Sequence, residues 1–153
     1  MSKKDTVKVL NNLIQTPEDG KKRFTEASEE ATKTDLKTMY KKRSVECDKA
    51  LIELQLLVGS LGGKPQDSGT IVGAIERGWA KVKSATGDHN IAMLEVVECE
   101  EDKAKAKAKA QYAKALSATL PMQIRTVVQR QHDGAVRNHN LIRDLLDSHK
   151  KAA

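Results

Sequence analysis

Apolar residues recur at the three- and four-residue spacing of an α-helix through four long stretches of this chain, and two of its three prolines, Pro65 and Pro121, fall between those stretches. From Asp5 to about Ala31, Val7, Leu10, Leu13 and Ile14 form one run, and Phe24, Ala27, Ser28 and Ala31 form the next. Between them Thr16-Pro17-Glu18-Asp19 has the order of a helix start: a capping hydroxyl, proline, then acids. This segment is therefore either one helix kinked near Pro17 or two pieces in line. A second helix is expected from Thr34 or Asp35 to Leu61, with Leu36, Tyr40, Arg43, Cys47, Leu54 and Val58 on its stripe and Gly62-Gly63-Lys64-Pro65 as its stop. A shorter helix, about Thr70 to Ala85, presents Ile71, Ile75, Trp79 and Val82. Gly87 ends it and Asp88 caps a third long helix, His89 to Ser117, marked by Leu94, Val97, Glu101, Ala104, Ala108 and Tyr112. A turn leads to Pro121, which opens a last helix reaching about His149, with Ile124, Val128, Gln131, Ala135, His139, Ile142 and Leu146 inward.

One segment resists periodicity. Lys103 to Ala110 alternates Lys and Ala, a strand-like pattern. Both residues favour helix and disfavour strand, so the segment reads as helix, with Ala104 and Ala108 stacked as a small-residue stripe. The whole chain follows the same bias, since its four aromatic residues are too few for a β-sandwich core. At 153 residues it forms a single domain, 1–153, large enough to bury a core without staples.

Connection lengths set the topology. Helices one and two, and helices three and four, are joined by a few residues and so are antiparallel pairs. The long connection between helices two and three can carry the chain back along the bundle, leaving those two parallel. The expected fold is thus an all-α, ferritin-like four-helix bundle with a long helical crossover between helices two and three.

The charge balance, 27 basic against 21 acidic residues, is basic but mixed. It fits solubility, and no aromatic platform or nucleic-acid motif accompanies it. The N-terminus has no apolar core of a signal peptide, and no run approaches the roughly 18 apolar residues of a membrane span. A cytoplasmic location and no membrane partner are the expectation. Cys47 and Cys99 are far apart with no C-x-x-C, which excludes a zinc motif or disulfide framework. Both read as small core residues, or as a pair if their Cα atoms come within about 7 Å.

Polar residues interrupt the apolar stripes near mid-helix: Arg43 and Glu46, then Glu98 and Glu101, then Gln131 and His139. Counting back from the turns puts Glu46, Glu98, Glu101 and His139 in one layer, the level at which ferritin-like bundles hold a carboxylate-bridged metal pair. These four are the candidate ligands for iron or another divalent metal. The pattern is incomplete: no Glu-x-x-His occurs in the chain, Lys49 stands where the histidine after Glu46 would be, and helix one offers only Asp19 at that level. The alternative for the same residues is a set of ion pairs at the stripe margins.

Several runs resemble a bacterial family of uncharacterised ferritin-like four-helix-bundle proteins. They are Leu10-Asn11-Asn12-Leu13-Ile14 with Asp19-Gly20, Gly62-Gly63-Lys64-Pro65, Arg77-Gly78-Trp79, Glu98-Cys99-Glu100 and Leu120-Pro121, with Gln131 and His139 in the last helix. The resemblance implies the same fold and no assigned activity. Departures fall among polar positions: Arg23-Phe24 stand where the family often has Gly-Tyr, Glu76 where it has His, and His139-Asn140 where it has His-Asp. Together these features favour a non-enzymatic bundle acting as a homodimer or through a protein partner. A metal-binding protein is the alternative, and salt-sensitive nucleic-acid binding through Lys103, Lys105, Lys107 and Lys109 is the third reading.

Overall fold

The computed structural model describes residues 2–66, 82, 87–117 and 119–152. Four long helices account for nearly all of them: α1 (Lys3–Glu30), α2 (Thr34–Ser60), α3 (His89–Ser117) and α4 (Met122–Ala152). The crossover helix expected at Thr70 to Ala85 lies outside the described residues except for Val82, which is buried.

Local chemistry explains each end. Ser2 caps α1, its Oγ accepting from the Asp5 amide at 3.1 Å. The helix then runs through Pro17 without a break. Pro17 is itself buried, and the buried runs on either side of it hold one continuous helix where local propensity favours a restart. α2 closes in a Schellman motif: Gly62 takes φ +76°, its amide donates to the Gly59 carbonyl, and the Gly63 amide donates to the Val58 carbonyl. A Cβ on Gly63 would sit 2.6 Å from a Val7 methyl, so this turn also lets the start of α1 approach. Asp88 caps α3 as expected, its Oδ1 accepting from the amides of Asn90 (2.8 Å) and Ile91 (3.2 Å). α4 extends three residues past His149, and His149, Lys150 and Lys151 suit the negative end of its dipole. The Lys/Ala segment is helical throughout.

Side-chain pairings give the helix directions. Lys21 meets Asp48 and Thr25 meets Ser44, so α1 and α2 are antiparallel. Arg23 meets Glu101 while Thr32 meets Asn90, so α1 and α3 are antiparallel too. Lys150 with Glu95 and His132 with Tyr112 set α4 against α3. Arg130 with Glu53 and Asn138 with Glu46 set α4 against α2. The four helices thus form a square in which neighbours are antiparallel and the diagonals, including α2 and α3, are parallel. That is the arrangement the connection lengths imply.

The apolar core has two parts. One end holds Leu10, Leu13, Ile14, Leu54, Val58, Tyr112 and Val128. The other holds Phe24, Leu36, Tyr40, Met93, Leu94, Val97 and Ile142. Between them lies a polar middle, and no helix among the described residues is long and apolar enough to cross a membrane.

Candidate functional site

The mid-bundle layer expected from the register exists, and its charges sort into separate clusters. Glu101 is buried and turns to α1, where it pairs with the equally buried Arg23. Glu46, at the edge of α2, accepts from Arg43 at 2.7 Å and from Asn138 at 3.4 Å. Glu98 instead faces α4: its Oε1 lies 3.5 Å from His139 Nε2, and Asp102 Oδ1 lies 3.6 Å from the same nitrogen. Of the four residues expected to share one ligand set, the structure brings together Glu98 and His139, with Asp102 as the third member, and directs Glu46 and Glu101 to arginines.

The register was legible and the rotation was not. Residues 98 and 102 stand one turn apart on one face of α3, whereas residue 101 points about 100° away from 102, more than a quarter of a turn. Counting along the chain fixes level to within a residue or two but does not separate these faces. Arg23 is the member of this layer that stripe reading misses. It lies at the margin of α1, one turn after Asp19, and that i, i+4 pair at the level of the polar layer was its visible signal.

Burial shapes the chemistry here. His139 is 3% exposed, and neither ring nitrogen has a hydrogen-bond partner among the described residues. The ligand atoms of Glu98, Asp102 and His139 all lie within 4.8 Å of one another. Asp19 is also buried with Oδ1 unpartnered. Desolvation raises its pKa, against the opposing pull of Arg23 and Lys107. Cys47 is buried beside Gly20, so closely that a Cβ there would come 2.9 Å from its Sγ. Burial pushes its thiol up to about 11, so it stays protonated and unreactive at neutral pH. Cys99 is exposed, and both cysteines are free. The expectation of two core cysteines therefore holds for Cys47 alone; Cys99 falls on the outer side of α3, where its level matches that of Cys47 but its face does not.

Phe24 carries the other notable contacts. The guanidinium carbons of Arg23 and Arg43 lie 5.3 and 5.0 Å from its ring centre, and Tyr40 stacks against it at 6.2 Å. Both arginines line a cavity of about 550 Å³ in the gap between the two halves of the core.

Fold and site together define an all-α four-helix bundle with a charged, partly hollow midsection. Residues 5–118 match the family described as Domain of unknown function (DUF2383), and the chain belongs to that family. The match covers α1 to α3 and stops short of α4, the helix that supplies His139. No curated protein matches the chain.

Proposed function

We propose that this protein is a non-catalytic bundle, ferritin-like in its connectivity, that works as a homodimer through the outer face of α2. The observation that carries this reading is the distribution of exposed apolar side chains. Val45, Ile52 and Leu56 are 53%, 46% and 69% exposed and fall within about 40° of one another around α2, opposite the stripe that enters the core. A helix apolar on two opposite faces is built to be covered on both. Leu141 is a further exposed apolar residue, on α4. It is 46% exposed and lies one turn from Asn138, whose contact with Glu46 sets that side of α4 against α2. A two-fold axis needs only one such patch, because the same surface meets itself. In sedimentation equilibrium the protein should run at twice its 16.8 kDa monomer mass, and Ile52→Glu with Leu56→Glu should yield a folded monomer. A wild-type monomer at high micromolar concentration would remove the reading.

A second reading, metal binding, is supported by the convergence of Glu98, Asp102 and His139. Two carboxylates flanking an unbonded, buried imidazole are a donor set suited to zinc, manganese or ferrous iron. Protein purified after metal supplementation should then carry about one equivalent per chain. Asp102→Asn should abolish that loading with no change in the thermal midpoint of the metal-free protein, since Asp102 is exposed. Loading that survives Asp102→Asn but not Glu101→Ala would move the ligand set to the mid-bundle residues instead. Loading below about half an equivalent would end this reading.

A further inference from the structure

The gap between the two apolar clusters is written into the sequence as small residues. Ala50, Ala104 and Ala135 lie on the inward sides of α2, α3 and α4 at one level, yet all three are only half-buried, because the cavity beside them reaches solvent. Gly134 adds to the space: a Cβ there would meet nothing nearer than an Arg137 nitrogen at 3.7 Å. Lysine and arginine side chains surround this alanine-walled space. Three ion pairs on its wall, Arg23 with Glu101, Arg43 with Glu46 and Arg130 with Glu53, balance their own charges. Lys49, Lys105 and Arg137 also line it, and none of them has a carboxylate partner among the described residues. Deeper in, the Nε atoms of buried Arg23 and Arg43 are unpartnered. The exposed lining side chains on α2 and α4, Lys49, Arg130 and Arg137, put the mouth between those helices.

We infer that this cavity binds an amphipathic small-molecule anion, its apolar body against the alanine wall and its acidic head among Lys49, Lys105 and Arg137. The volume is in the range that holds small organic ligands, and the wall combines apolar surface with a few charged side chains, as such sites do. Guanidinium and ammonium groups at the mouth select against cations and neutral molecules.

The test uses anilinonaphthalene sulfonate as a fluorescent probe and dodecanoate as its competitor on the full chain. One saturable site per chain is expected, emptied by dodecanoate and untouched by dodecyltrimethylammonium. Filling the space with Ala135→Phe, or with Gly134→Leu should the first overpack, is expected to weaken probe binding at least about tenfold while the helical circular dichroism is retained. Arg137→Ala combined with Lys105→Ala should weaken it about tenfold and flatten its salt dependence. Absence of saturable binding would overturn the inference. So would binding that both filling variants leave unchanged, or binding lost instead on Leu56→Glu, which would place the probe on the outer face of α2.

Discussion

Glu101→Ala should destabilise the bundle by about 3 kcal/mol, the lower end of the range for breaking a buried ion pair. Arg23 and Glu101 have side chains only 6% and 9% exposed, so removing the carboxylate leaves a buried guanidinium that has lost its direct partner and keeps only the neighbouring Asp19 to offset its charge. The lower end applies because both residues also line the central cavity, through which water reaches the freed charge. The reverse change, Arg23→Met, strands Glu101 and should cost a similar amount. The double variant Arg23→Met/Glu101→Leu should recover most of the loss, because taking both ions out also removes their desolvation penalty. Urea unfolding of the four proteins closes the cycle. Two single losses that simply add in the double variant would show that the pair is not coupled, and would leave its burial without an energetic account.

This pair also shows where sequence reading stops. The helix ends are legible because single residues set them: the Asp88 carboxylate accepts from two free amides, and Gly62 takes the positive φ that closes α2. The directions of the helices are legible because loops of a few residues allow only an antiparallel return. Level within the bundle follows, and Glu46, Glu98, Glu101 and His139 do lie near one another along the axis. Azimuth is another matter. Each residue turns the helix by 100°, so a side chain at the margin of a stripe can address either neighbour. Glu98 went to α4 and Glu101 to α1, three residues apart on the same helix. The choice depends on which groups the neighbouring helices present there, Arg23 on one side and His139 on the other, and that is a property of packing between segments far apart in the chain. The hollow midsection was half visible for the same reason. Ala104 and Ala108 stand out as a small stripe on one helix, but a void appears only when α2 and α4 also present Ala50, Gly134 and Ala135 at that height.

Phe24→Ala should cost about 3–5 kcal/mol, the top of the range for a single apolar truncation among the described residues. For a domain of this size that lowers the thermal midpoint by roughly 10 °C. The ring is fully buried in the half of the core that also holds Tyr40, Leu36 and Ile142, so its removal leaves a cavity among close-packed neighbours. Part of the loss is specific to an aromatic ring. With guanidinium groups of Arg23 and Arg43 within 5.3 and 5.0 Å of its centre, the ring face offsets some of the cost of burying two cations, worth about 0.5–2 kcal/mol. Phe24→Leu separates the two contributions, since leucine restores much of the apolar volume and none of the ring's electrostatics. Its cost should shrink in an Arg43→Met background, where one cation is gone, by an amount that calorimetric midpoints or urea unfolding can resolve. An equal cost of Phe24→Leu in both backgrounds would mean that the arginines merely lie over the ring, and that the polar middle of the bundle is held by its carboxylates alone.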